Sequence, residues 1–117
     1  MTKRFWLSAD DIEDLATGHG GCIATDQITV HGRGVGYMYR EAPEYEDDSG
    51  WRFMSGHESQ EYMDNPQNHA VYDVNTIANY DRAIIPFLNA PVGSAYERGT
   101  GGVFVEVEIS PDSDSVH

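Results

Sequence analysis

The sequence contains a single cysteine, Cys22. One cysteine cannot form an internal disulfide, and it excludes zinc sites built from several thiolates. Nothing in the sequence therefore requires an oxidising compartment. Cys22 opens a stretch that reads as a strand, and we predict that it is a small buried core residue and not a nucleophile.

Basic residues are also scarce, since seven lysines and arginines stand against 20 aspartates and glutamates, for a net charge of −13. This balance argues against nucleic acid and anionic membranes as partners, because both are polyanions. A partner with a basic surface is the natural complement. The acids are concentrated between residues 41 and 64, which hold eight acids and one base.

Long hydrophobic runs are absent as well. The N-terminal region turns acidic after three apolar residues, too few for the apolar segment of a signal peptide. No run approaches the roughly 18 residues of a membrane span, so we expect a cytoplasmic protein. The length of 117 residues suits one domain with its own core. We predict a single domain over 1–117, folded at 5–109, with a frayed polar tail at 110–117.

The first part of the chain predicts a helix followed by a hairpin. Ser8 precedes an acidic run with the spacing of a helix N-cap, which predicts a helix from Ala9 to Thr17. Alternating apolar residues predict strands at 22–30 and 35–40. The turn residues at 31–34 would join them as a β-hairpin.

The second part predicts short elements separated by turn residues. They are a strand at 50–54, a helical turn capped by Ser59, a strand at 69–74, short helices capped by Asn75 and Asp81, and strands at 93–98 and 103–109. This order predicts an α+β domain with a mainly antiparallel twisted sheet, one N-terminal helix and short helices packed on it.

The large aromatic side chains of this part are predicted to lie in the core, because a small domain needs its bulkiest apolar groups there. They are Trp51, Tyr72, Tyr80, Phe87 and Tyr96. Asn75 and Asn79 are predicted to pair their amide groups with loop backbone.

No catalytic, metal or cofactor signature is present. His57 has Glu61 four residues later but no second histidine there, and His69 lies beyond a proline, so the spacing of a helical zinc site is missing. Ser94 lacks the flanking glycines of a nucleophile elbow. The glycines at 32–36 lack the lysine of a phosphate loop. We predict no catalytic residue, no metal and no cofactor.

Several segments occur together in order: GWRF at 50–53 with SG at 55–56, YDVNTIANYD at 72–81, IIP at 84–86 and PVGSAYER at 91–98. With residues 22–43 they resemble the bacterial immunity protein family thirty-three, an antidote class of polymorphic toxin systems. The resemblance covers roughly residues 20–107. Arg82 departs from it, since proline is expected there; proline suits the first helical position.

The resemblance implies a non-enzymatic domain that binds one cognate toxin and blocks its active site or substrate surface. Two other classes stay open. One is a small enzyme or ligand-binding domain with a pocket near Trp51 and 75–81, and the other is a general protein-interaction domain. The resemblance leaves the toxin's identity and the oligomeric state open.

Acidic residues on both sides of the Trp51 strand are the predicted partner-binding residues. They are Glu44, Glu46, Asp47, Asp48, Glu58, Glu61 and Asp64. A hairpin-like return would bring them together at one end of the sheet, where a negative patch would steer a basic toxin. The alternative is a merely solvated acidic surface that keeps the protein soluble.

Overall fold

The computed structural model describes residues 3–108, so the predicted tail at 110–117 lies outside the described residues. Six strands form one sheet. They are β1 (Gly21–Thr25), β2 (Tyr37–Arg40), β3 (Asp48–Met54), β4 (His69–Asp73), β5 (Ala95–Arg98) and β6 (Phe104–Val107). The strand order is β4-β1-β3-β2-β5-β6. Only the β1–β3 pair among these neighbours is parallel.

The helices are short. The α-helices are α1 (Asp26–Thr29), α2 (Gln60–Asp64) and α3 (Val74–Tyr80), and 3-10 turns lie at Ala9–Asp11, Pro66–Asn68 and Arg82–Phe87. The molecule is a single domain with a mostly antiparallel sheet and a few short helices, in agreement with the predicted α+β class.

The predicted helix from Ala9 to Thr17 is wrong beyond its first turn, since only Ala9–Asp11 is helical and it forms a 3-10 turn. The Ser8 hydroxyl donates to the Asp11 carboxylate at 3.0 Å. A short helix is marginal unless tertiary contacts support it. Here the tertiary contacts favour another conformation.

Asn75 provides those contacts. Its side-chain oxygen accepts from the amides of Leu15 at 2.7 Å and Ala16 at 2.8 Å, and its nitrogen donates to the Glu13 carbonyl at 2.8 Å. Asn79 adds bonds to the amide and carbonyl of Glu13, both at 2.9 Å. The predicted pairing of both amides with loop backbone is confirmed, and it holds 13–16 out of a helix.

Asn75→Ala is expected to lower the free energy of unfolding by about 2 kcal/mol, because it leaves backbone groups of this segment without partners. Urea denaturation measures the change. Asn89→Ala is the matched control, since Asn89 is exposed, and it should cost no more than about 0.5 kcal/mol. Equal costs for the two variants would contradict this role of Asn75.

The predicted hairpin between the first two strands is also wrong. β1 ends at Thr25, and the polar pair Asp26-Gln27 begins α1 instead of kinking a longer strand. β1 and β2 both pair with β3, which lies between them. A hairpin is a local pairing, whereas this arrangement depends on a strand that comes later in the chain.

Elements of the second part agree more closely with the sequence. Ser59 caps α2 by accepting from the Tyr62 amide at 3.0 Å, and Asp81 caps the 3-10 turn after α3. Asn75 is not an N-cap, because Asp73 accepts from its amide and caps α3. The predicted strand at 69–74 and the closing pair of strands are present as β4 and β5–β6.

The core lies between one face of the sheet and α3 with the turn after it. Trp51 is fully buried there, and its indole nitrogen donates to the Leu88 carbonyl at 3.1 Å. Cys22 is buried in the same core cluster, as predicted. The other predicted aromatic core residues are partly buried and pack against the cluster: Tyr72, Tyr80, Phe87 and Tyr96.

Candidate partner-binding surface

The second face of the sheet is the candidate site. Alternate residues of β1, β2 and β3 supply the core, for example Ala24, Met38 and Phe53. Because successive side chains of a strand point to opposite faces, the residues between them lie on the other face. The core cluster of buried residues contains none of these intervening residues.

The strand register places these intervening residues in two rows, since directly paired residues share a face. The first row crosses the whole sheet and contains Val71, Ile23, Arg52, Tyr39, Ala95 and Val107. The second row lies beside it and contains Met54, Tyr37, Glu97 and Val105. We call these two rows together the open face.

The open face is largely apolar and aromatic. Tyr37 and Tyr39 are half-buried, and their ring centroids lie 5.8 Å apart. Near the two edges of the sheet, Val71 is 59% exposed and Val105 is 57% exposed. Solvent therefore reaches apolar side chains on β4 and on β6, at opposite edges of the same face.

Two adjoining cavities open on this face. One has a volume of about 390 Å³ and is lined by Tyr37 and Glu97 among others, and the second measures about 160 Å³ and is lined by Ile23 and Tyr39. Met54 and Met63 line both cavities. Met63 belongs to α2, so this helix borders the open face. Methionine side chains are flexible and adapt to irregular surfaces.

A buried ion pair includes one member of the first row, Arg52. The Arg52 guanidinium donates two hydrogen bonds to Asp48, at 2.8 and 3.0 Å, and one to Glu41 at 2.6 Å. The side chains of Arg52 and Asp48 are 5% and 0% exposed. The hydrogen bond from Arg52 is the main reason that the pKa of Asp48 lies well below its ordinary value.

Two of the predicted partner-binding acids are thus committed to the fold. Asp48 is held by Arg52 and also accepts from the amides of Glu44 and Gly50, at 2.8 and 2.9 Å. Glu58 accepts from the Thr25 hydroxyl and from the Ser55 amide at 2.8 Å. Burial alone would raise the pKa of Glu58, but these hydrogen bonds outweigh burial and lower it.

The other five acids are exposed: Glu44, Glu46, Asp47, Glu61 and Asp64. The structure does not bring them together at one end of the sheet. Residues 41–47, here called the acidic loop, precede β3, whereas α2 follows it, and the seven residues of β3 separate the two. Such a strand is about 20 Å long. The acids form two separate groups.

Both groups border the open face. From the acidic loop, Glu41 and Glu44 contact Arg52, at 2.6 and 3.7 Å. On the other side, α2 brings Met63 over the same face. The carboxylates also act on the tyrosines: partial burial raises the pKa of Tyr37 and Glu97 raises it further, while burial and then Glu41 raise the pKa of Tyr39.

Residues 22–108 match the family described as Immunity protein Imm33 domain. This range is well over half of the chain. The chain belongs to the Imm33 family. No curated protein and no solved structure matches the chain. The family match over residues 22–108 confirms the resemblance seen in the sequence. The matched region contains every strand residue except Gly21, the first residue of β1.

The segments that identify the Imm33 family mostly determine its fold in this chain. In GWRF, Trp51 and Phe53 lie in the core and Arg52 holds Asp48. Gly50 has a φ of +89°, a conformation that glycine adopts readily. Asp81 and Arg98, from two other segments, form an ion pair at 2.8 Å.

The side chains of the Imm33 chain determine which kinds of binding its surface can support. Within residues 3–108, no group of three or more histidine, cysteine, aspartate or glutamate side chains is placed to hold a metal ion. In the same range, no helix has the length and apolar character needed to cross a membrane. The open face provides aromatic rings, apolar side chains and carboxylates, which are groups suited to binding.

Sequence reasoning missed the open face as a candidate site. The alternation at 35–40 predicts Val35, Tyr37 and Tyr39 on one face of a strand. The structure places Tyr37 and Tyr39 together on the open face, but β2 begins at Tyr37 and Val35 is buried in the core. The alternation does not tell which face of the sheet is covered by helices. At the pocket predicted near Trp51 and 75–81, Trp51 is fully buried and the Asn75 amide is bonded to backbone. Neither of the two cavities described above is lined by these residues.

Proposed function

We propose that this Imm33 protein is an immunity protein that binds and neutralises a cognate bacterial toxin by occluding its active site or substrate surface. The observation that carries the proposal is the family match over residues 22–108. A surface of exposed acids, tyrosines and apolar side chains supports binding as the mode of action. A non-enzymatic role agrees with the lack of a catalytic signature in the sequence.

The charge of the chain favours a toxin with a basic surface. The net charge is −13, and opposite charges on two partners accelerate their encounter. A toxin that acts on a polyanion such as nucleic acid carries a basic surface of this kind. We propose that the exposed acids of the acidic loop and α2 steer the toxin, while Asp48 and Glu58 support the backbone around them.

Charge reversal tests this proposal. Glu44, Glu46, Asp47, Glu61 and Asp64 would all be changed to lysine. Binding would be measured to the purified product of the gene immediately upstream, which the proposed function expects to be the toxin. Association is expected to slow by roughly 10-fold or more at low ionic strength, with a smaller effect at high ionic strength. The melting temperature should stay nearly unchanged, because all five side chains are exposed.

The matched control reverses five exposed acids outside these two groups: Asp10, Glu13, Asp14, Glu106 and Glu108. Both variants have the same net charge, so a difference between them reports the position of the charges. Association at the same rate for both variants would show that the acidic loop and α2 have no special role. A wild-type chain that does not bind the upstream product would contradict the proposed function itself.

A further inference from the structure

The open face is unusual for the uncovered side of a sheet. Antiparallel sheets with one solvated face normally alternate apolar residues toward the core with polar residues toward water. Here the residues between the core positions include Ile23, Tyr37, Tyr39 and Met54. Solvent reaches Val71 and Val105 at the edges of this face, and the apolar side chains between them are half-buried or buried. A largely apolar face of this kind is a candidate site of interaction.

The composition of this face matches the anatomy of a protein interface. Interfaces have an aromatic and apolar centre, enriched in tyrosine, methionine and arginine, inside a polar rim. Tyr37, Tyr39, Met54 and Met63 line the cavities. The acidic loop and α2 form the rim. Tyrosine offers a large contact area with few rotatable bonds, so little conformational entropy is lost on binding.

The dimensions also fit one partner. Val71 and Val105 lie on the two edge strands, which are five strand steps apart, or about 24 Å. A standard interface buries about 800 Å² on each partner, an area roughly 28 Å across. One docked protein of ordinary size would therefore cover the whole open face.

Charge decides which partner fits. Three carboxylates, those of Asp48, Glu41 and Glu44, surround the single guanidinium of Arg52, and they leave an excess of negative charge. Glu97 adds another carboxylate in the row of Tyr37. A second copy of this chain would bring like charges together, with −13 on each copy. A basic partner would neutralise them.

We infer that the open face is the surface on which the toxin docks, with Tyr37 and Tyr39 as its central contacts. Lysine or arginine side chains of the toxin enter the two cavities beside the tyrosines. Glu41 lines one cavity with Arg52, which is already paired, and Glu58 and Glu97 line the other with Arg98, which is paired with Asp81. A cation over a tyrosine ring gains a further electrostatic attraction. This inference rests on the proposed function and adds the surface and the kind of side chain that it receives.

The test is the affinity of the double variant Tyr37→Ala/Tyr39→Ala for the purified product of the upstream gene. Loss of two central tyrosines is expected to weaken binding by roughly 100-fold or more, chiefly through faster dissociation. Tyr37→Phe/Tyr39→Phe keeps the rings and should remain within about 10-fold of the wild type. Trp6→Ala is the aromatic control: Trp6 is 67% exposed, it is not part of the open face, and its amide donates to the Thr29 carbonyl in α1.

A second variant separates binding from folding. Val71→Lys/Val105→Lys changes two exposed side chains of the open face, so the fold should be retained. Placing ammonium groups where apolar contacts form, opposite a basic partner, should weaken binding by roughly 10-fold or more. Each variant's melting temperature is measured alongside.

The outcomes are distinct. Weaker binding by folded Tyr37→Ala/Tyr39→Ala and Val71→Lys/Val105→Lys, with Trp6→Ala unchanged, supports the inference. Wild-type affinity in both open-face variants overturns it and leaves the proposed function standing. Absence of binding by the wild-type chain overturns the proposed function, and the inference with it.

Discussion

Trp51→Ala is expected to lower the free energy of unfolding by about 3 to 5 kcal/mol. Trp51 is fully buried, stacks on Phe53 with ring centroids 6.1 Å apart, and donates a hydrogen bond to the Leu88 carbonyl. Alanine would leave a cavity in the core and remove the partner of that carbonyl. A loss of this size is a large fraction of the stability of a typical domain.

Trp6→Ala is the matched control for this experiment, because Trp6 is the other tryptophan and is largely exposed. It should cost well under half as much. Denaturant unfolding followed by far-UV circular dichroism measures both variants. If Trp51→Ala were as stable as the wild type but no longer bound the toxin, Trp51 would be an interface residue and the assignment of the core face would be wrong.

Asp48→Ala is the second change with a large expected effect, about 3 to 5 kcal/mol, because it leaves the buried Arg52 without its main partner. Arg82→Ala is the control, since Arg82 forms an exposed ion pair with Glu13 and should cost about 1 kcal/mol or less. The combined variant Asp48→Ala/Arg52→Met removes both buried charges. It should recover part of the loss, because an apolar pair avoids the cost of burying an unpaired charge.

The pH dependence of stability provides an independent check on Asp48. Its pKa in the folded chain is lower than in the unfolded chain. Its contribution is therefore complete above the ordinary aspartate pKa of about 3.9 and declines as the pH falls from there toward the lower folded value. The difference in stability between the wild type and Asp48→Ala should narrow over this acidic range. A constant difference would show that the ion pair is not its source.

Local signals in the sequence are sufficient for several elements. Ser59 and Asp81 cap the elements that they precede because a short polar side chain satisfies free amides of the first turn without help from the rest of the chain. The β5–β6 pair joins neighbouring segments across a glycine-rich turn, so its pairing can be predicted from nearby residues. Trp51 is buried because a small domain has few other side chains large enough to fill its core.

The elements that sequence reasoning misses depend on distant residues. Residues 13–16 stay out of a helix because Asn75 binds their backbone. Asn75 lies about 60 positions further along the chain than Leu15, one of the residues that it binds. β1 and β2 do not form a hairpin because β3 separates them. Local propensity cannot report either contact, since both form only in the complete fold.

The candidate site also has features that the local sequence predicts and features that depend on the complete fold. Composition identifies an acidic surface, and five of the predicted acids are exposed. Sequence cannot tell that Asp48 faces Arg52 or that Glu58 accepts from Thr25, because an acid in a loop has the same pattern whether it is solvated or bonded. The period of two along β2 groups Tyr37 with Tyr39, but the identity of the uncovered face depends on where α3 packs.

Growth rescue tests the central claim most directly. Cells that express the product of the upstream gene would also express the wild-type chain, Tyr37→Ala/Tyr39→Ala or Trp6→Ala, with soluble levels compared by immunoblot. The wild type and Trp6→Ala are expected to restore growth, and the tyrosine variant is expected to fail at an equal soluble level. A toxic upstream product from which the wild-type chain gives no protection would contradict the account.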